Sequence, residues 1–219
     1  MLKRNLTSEL MSKFNEALNK IMEYKMSGKN EEALIVIDNT LKEIFRLGMK
    51  FFNSLSDDNL LDMIKTDGTI NTDKCIMMAK LLEEEASILE LQGNLDDAFY
   101  IELKSLNLFL HAYEGDNENC DLQHHFEDIE IMIEELSEYR LPSSLQNRII
   151  DYYVKTNKYD KAEDTLYEIL QENDFSNETI EKGISLYELL LNKDDNTLEE
   201  GNLSREEVEE SLSILKKRL

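Results

Sequence analysis

The side chains best suited to chemistry crowd into one stretch, "CDLQHHFE", which holds Cys120, Asp121, His124, His125 and Glu127. Cys120 and His124 are four residues apart, a spacing that lines both up on one helical face, where a thiolate and an imidazole can share a metal ion. Two ligands do not close a tetrahedral site, and the only other cysteine, Cys75, lies 45 residues away. The plainer reading is the polar first turn of a helix. His111 shares a helical stripe with Leu103, Leu106 and Leu110, which fits a partly buried structural histidine better than a general base. Acid pairs such as Asp96–Asp97 and Glu134–Glu135 are adjacent in sequence and so diverge around a helix. The chain has no G-x-S-x-G elbow, phosphate loop, G-x-G-x-x-G turn or C-x-x-C pair. The residues therefore describe a protein that is not an enzyme, with no catalytic residue, cofactor or metal assigned. An enzyme with an unrecognised site is the last alternative.

Composition points the same way. Of 219 residues, 41% are hydrophobic and 32% charged, enough apolar material for a sizeable core. Seven glycines and one proline are too few breakers for a sandwich or barrel. The net charge of -23 disfavours nucleic acid and anionic membranes, which recruit Lys and Arg. Residues 1–50 carry nine Lys and Arg against seven Asp and Glu, whereas the remainder carries fifteen against forty. That acidic body is either a solubilising surface or a landing place for a basic partner. No signal peptide and no apolar run of membrane-spanning length is apparent, so the expected location is the cytoplasm.

The elements that must position these residues are helices. Cys75, Met78, Leu82, Ala86 and Leu89 step by 3, 4, 4 and 3, and Leu122, Phe126, Ile129, Ile133 and Leu136 by 4, 3, 4 and 3. Helices are expected at 3–26, 30–51, 57–64, 72–91, 95–113, 121–138, 143–155, 159–173, 177–191 and 204–218. Ser56 is expected to cap one start, Ser204 with Glu207 forms a capping box, and Pro142 suits a helix entry. Loops are expected at 65–73, 114–121 and 192–204, the second a possible seam between sub-bundles of a single 1–219 domain.

One joint recurs. "SGKNEEAL", "QGNLDDAF" and "TNKYDKAE" place Gly28, Gly93 and Asn157 alike, with Ala33, Ala98 and Ala162 each five residues on. The joints are 65 and 64 residues apart, about twice a helical-hairpin unit. A tight turn after a helix needs a left-handed residue, and Gly and Asn tolerate that conformation best. The returning helix is closest to its partner near the turn, so a small side chain is needed there. Thr40, Ser105 and Ile169 recur seven places later.

At these joints the chain resembles the tetratricopeptide repeat. The best copy, "LQNRIIDYYVKTNKYDKAEDTLYEILQE", has Ile149, Tyr153, Tyr159, Ala162 and Leu166 at the expected large and small positions. A second has Ala86, Leu89, Gly93 and Ala98 but departs at Glu102, where a large apolar residue is usual. A looser copy surrounds Gly28, and a fourth unit starts at Ile180 and Tyr187 and resumes in the last helix after the 192–204 loop. Residues 20–112, with "SLSDDNLL" and the acidic-Gly loop "KTDG", are also similar to a bacterial family of unknown function with tetratricopeptide-like hairpins.

The resemblance implies an all-α fold of antiparallel helical hairpins, about nine or ten helices, stacked as a short solenoid with a concave face. It also implies a bacterial, non-enzymatic scaffold for a protein or peptide; a peptide-responsive regulator is the alternative. The inner-face positions that match a basic clamp for acidic tails in one subfamily hold Leu18, Met22, Glu83, Ser87, Asn147 and Asp151. No basic clamp is present, so the expected partner is basic or apolar. Met22, Met26, Glu83, Ser87, Asn147 and Asp151 are the candidate partner-binding residues. Met11, Met22, Met26, Met77 and Met78 either fill the core or form a soft groove, and with Phe51 and Phe52 they offer a face for a homodimer. Of Tyr152 and Tyr153, adjacent in sequence, one is expected to pack inward and the other to be more exposed.

Overall fold

The computed structural model describes residues 2–66, 68–115 and 120–219, with the backbone alone at 2–8 and 66. Among them are twelve α-helices: α1 (Leu2–Met26), α2 (Asn30–Phe45), α3 (Met49–Ser54), α4 (Asp57–Ile64), α5 (Thr72–Leu91), α6 (Leu95–Glu114), α7 (Asp128–Glu135), α8 (Ser143–Lys155), α9 (Tyr159–Glu172), α10 (Asn177–Leu190), α11 (Asp195–Glu200) and α12 (Arg205–Lys216). The only strands among the described residues are β1 (Lys65–Thr66) and β2 (Thr69–Ile70), a minimal antiparallel pair within the 65–73 loop. No helix among them is long and apolar enough to cross a membrane.

The chain divides into two compact units, Met1–Glu138 and Tyr139–Leu219. Residues 114–121 therefore belong to the first unit, and 116–119 of that stretch lie outside the described residues. In the first unit α1 pairs with α2 and α5 with α6, and α2 packs on α5. In the second, α8 pairs with α9, and α10 pairs with α12 across the short α11. The fold is all-α, built of antiparallel hairpins.

The hairpins exist because of the joints. Gly28, Gly93 and Asn157 have φ of 67°, 79° and 57°. In each joint two amides turn back onto the closing helix: Gly28 N–H to Lys25 O and Lys29 N–H to Tyr24 O, Gly93 N–H to Glu90 O and Asn94 N–H to Leu89 O, Asn157 N–H to Val154 O and Lys158 N–H to Tyr153 O. This is the Schellman pattern, which satisfies carbonyls that the helix end leaves open. The next helix begins at once, because Ala33, Ala98 and Ala162 donate to the carbonyls of Lys29, Asn94 and Lys158. All three alanines are buried. Two turns on from Ala98, Ser105 is fully buried and its hydroxyl donates to Ala79 O at 2.7 Å. Farther from the turn, the Cys75 thiol donates to Leu108 O at 3.1 Å. Small side chains thus let α5 and α6 approach closely enough for one backbone to bond the other's side chains.

Several expected boundaries differ in the structure. The helix expected over 30–51 breaks at Arg46, whose φ is 67°. Asp38 Oδ1 accepts the Met49 N–H at 2.9 Å and so caps α3 as a separate helix. Gly48 lies against Asp38, and a Cβ there would be 2.7 Å from Asp38 Oδ1. Ser56 precedes α4, but its side chain makes no capping bond; the Leu60 amide takes its backbone carbonyl instead. The 121–138 helix becomes a 3-10 turn at Gln123–Glu127, then α7, then a short 3-10 end at Leu136–Glu138. The 192–204 loop contains α11, capped by Asp194, which accepts the Thr197 N–H at 3.1 Å. The last helix ends at Lys216 rather than 218. Its capping box is present, with Ser204 and Glu207 bonding reciprocally. Tyr152 and Tyr153 are both buried, rather than one inward and one exposed; their ring centres lie 5.7 Å apart, and the Lys161 ammonium lies 5.7 Å from the Tyr153 ring centre.

An open space surrounds Gly93, where an added Cβ would meet nothing within 4 Å. Its requirement is therefore conformational alone. Gly93→Val is expected to destabilise by about 1–2 kcal/mol and Gly93→Asn by less. Ala98→Leu is expected to lose about 1–3 kcal/mol by overpacking, and Asp96→Asn to stay within about 0.5 kcal/mol. Urea unfolding followed by circular dichroism checks the ranking.

Candidate binding groove

The joint between α8 and α9 fixes which face α8 presents. Asn147, Ile150, Asp151 and Val154 follow one another at i, i+3, i+4 and i+7 and line a groove of about 700 Å³. From α10 come Glu178, Glu181, Lys182, Ser185, Leu186 and Leu189, and Leu166 of α9 also lines it. Ile150 and Leu166 are buried, Val154 and Leu186 half-buried, and Leu189 is 46% exposed. The apolar side chains thus run from the core outward to solvent. Asp151, Glu178, Glu181 and Lys182 are exposed beside them, and Lys182 pairs with Glu178 at 3.1 Å. The volume lies in the range of ligand sites.

The second unit holds α10 rigidly. Gly183 lets α10 meet its neighbours, since a Cβ there would be 2.6 Å from Leu215 of α12 and 3.3 Å from Leu166 of α9. Tyr187 donates to Glu163 Oε1 at 2.6 Å, and Ser211 donates to the same oxygen at 3.1 Å, tying α9, α10 and α12 together. Burial and the hydrogen bond to Glu163 push the Tyr187 pKa far above its ordinary value. Arg205 donates to Leu191 O at 3.2 Å and Lys193 O at 2.6 Å and pairs with Asp195, locking α11 to α12.

The six expected partner-binding residues separate into three sets. Asn147 and Asp151 line the groove. Met22 and Met26 are 59% and 78% exposed on α1. Glu83 and Ser87 belong to a charge network instead. Lys25 donates to Glu84 at 2.6 Å and to Ser87 at 2.9 Å. Lys80 reaches Glu83 at 2.7 Å, Asp128 at 3.1 Å and Glu84 at 3.6 Å. Burial opposes the Lys80 charge, yet the carboxylates of Glu83, Asp128 and Glu84 hold its pKa above the ordinary value. Burial also opposes the Asp128 charge, but His125 and Lys80 hold its carboxyl low. Of the methionines, Met77 and Met78 are core, and so is Phe52, whereas Phe51 is exposed.

The histidine stretch is arranged differently from one helical face. Cys120 precedes the 3-10 turn and donates to Asp73 Oδ1 at 3.3 Å, and the same oxygen accepts the amides of Asp121 and Leu122 at 3.0 and 3.2 Å. Burial and the Asp73 carboxylate push the Cys120 thiol up to about 12. The His124 and His125 rings lie 4.2 Å apart, and His125 meets Phe14 edge-on at 6.0 Å. No group of three or more His, Cys, Asp or Glu positioned for a metal occurs among the described residues. A second hollow, about 550 Å³, lies on α2 and α3 beside Leu34, Ile35, Met49 and Phe51. Glu31 and Leu34 of the first joint stretch line it, and none of the six expected partner-binding residues does.

Sequence reading missed the environment of three carboxyls, Glu85 buried and Glu83 and Glu102 half-buried. Glu83, Glu85 and Glu102 each rise to about 7, chiefly through burial. Glu102 faces Glu135 and Glu90, with a hydrogen bond shared with Glu135. Its departure from the apolar residue usual at that repeat position was the one available signal. Glu85 is 1% exposed and accepts from Asn53 Nδ2 at 2.6 Å. Its other oxygen, Oε2, and Asn53 Oδ1 are both buried and receive no hydrogen bond among the described residues. A neutral carboxyl relieves that arrangement, and a charged one does not.

The whole chain, residues 1–219, matches a family of unknown function (DUF6483), and the protein belongs to that family. No curated protein matches it, and no solved structure does.

The folded pKa of Glu85 lies above its ordinary 4.5. Its contribution to stability is therefore full below about 4.5 and is lost as pH rises through about 7. Glu83 and Glu102 act in the same direction. Glu85→Gln supplies a neutral side chain whose amide can also donate to Asn53 Oδ1. It is expected to stabilise the protein at pH 8 by on the order of 2 kcal/mol and to change little at pH 4.5. Urea unfolding across that pH range reads the difference.

Proposed function

We propose that this member of the family is a non-enzymatic scaffold of the bacterial cytoplasm, with tetratricopeptide-like hairpins that grip a protein or peptide segment in the α8/α10 groove. One observation carries this reading. The groove falls at Asn147 and Asp151, the positions that the resemblance assigns to partner contact, and its floor is apolar and opens to solvent at Leu189. Exposed apolar surface framed by charge is the usual character of a recognition site on a soluble domain. The hairpins on either side are fixed by buried contacts, so binding there needs little reorganisation.

Leu189→Glu places a charge on the floor at an exposed position, so the fold is expected to persist. Immobilised wild-type protein is expected to retain a specific partner from native extract, and Leu189→Glu to retain at least about tenfold less. Thermal melting of both proteins accompanies the capture. Equal retention by both would sink the groove as the binding site.

A further inference from the structure

The groove's charges define the chemistry of its occupant. Three carboxylates, Asp151, Glu178 and Glu181, line it with one ammonium, Lys182, and that ammonium already pairs with Glu178. The second unit as a whole carries eighteen Asp and Glu against eleven Lys and Arg in residues 139–219. An acidic segment entering the groove would therefore meet like charge on both walls. A wholly polar segment would leave Val154, Leu186 and Leu189 without apolar cover. The α10 wall, from Glu178 to Leu189, covers twelve residues, eleven steps or about 16 Å at helical rise. That length takes two or three large side chains in a row.

We propose, resting on the reading of this groove as a binding site, that it takes a partner segment combining two or more large apolar side chains with flanking Lys or Arg. The apolar side chains lie along Ile150, Val154, Leu186 and Leu189, and the cations face Asp151 and Glu181. Contacts of this exposed kind contribute modestly to affinity and strongly to partner choice and encounter rate. The apolar floor supplies most of the hold.

Binding to the 219-residue chain can be read by fluorescence polarisation on an array of twelve-residue peptides. These carry Leu at varied spacing, with Lys and Ser at the remaining positions in one set and Glu and Ser in the other. At about 50 mM salt the Lys set is expected to bind about tenfold tighter than the Glu set, from two exposed ion pairs, and the gap to narrow at about 500 mM. Asp151→Lys with Glu181→Lys is expected to reverse the preference. Equal binding of both sets, or a preference untouched by the charge reversal, overturns the basic occupant; the groove itself stands if Leu189→Glu still abolishes that binding. If no peptide of either set binds, or if Leu189→Glu changes nothing, the groove reading falls and this inference with it.

Discussion

A helix folds back on itself within three residues only if one of them leaves the right-handed region. This chain depends on that constraint. Gly28, Gly93 and Asn157 meet it at the three recurring joints, and Asp174 and Asn202 meet it at two more turns with φ of 48° and 56°. Each joint sets the azimuth at which the second helix leaves, and hence which residues face inward. Asn157 shows how the constraint shapes its surroundings. Its Oδ1 accepts the Tyr159 hydroxyl at 2.7 Å, so the residue that supplies the left-handed turn also satisfies a fully buried tyrosine. Gly201 then packs against that ring, and its carbonyl accepts the Asp160 amide at 3.2 Å.

Charge inside the first unit follows from the position of α5, which packs against α2 and α6 and buries residues on most of its faces. A helix buried nearly all round has no reserved solvent side for its acids. Glu83 and Glu84 share the ammonium groups of Lys80 and Lys25, whereas Glu85 accepts from the Asn53 amide. Lys104 takes a similar structural role on α6, donating to the open carbonyls of Asn53 and Leu55 at 2.6 and 2.7 Å. The raised pKa values of Glu83 and Glu85 follow from that burial.

What could be read from the sequence was local. The joints, the alanines that follow them and the Ser204–Glu207 box each depend on residues within five positions of one another. What could not be read depended on distant partners. The break at Arg46 is fixed by Asp38 reaching Met49, eleven residues away. Gly183 looks like a weak point in a helix until Leu215 and Leu166 are seen against it. Periodicity does not reveal that α5 lies between neighbours, and so it does not show Glu85 as buried. Of the residues lining the groove, the tetratricopeptide resemblance singles out Asn147 and Asp151, whereas Glu181, Leu186 and Leu189 join them only because α10 lies beside α8.

The central claim is that the joints hold an apolar, acid-rimmed groove between α8 and α10 as the surface that meets a partner. Amide chemical-shift mapping of the isotopically labelled chain during titration with a Leu/Lys peptide from the array tests it most directly. The account predicts perturbations concentrated at residues 147–154 and 178–189, and weaker ones when Leu189 is replaced by Glu. Shifts gathered at the α2/α3 hollow or along α5, with residues 147–189 undisturbed, would contradict it.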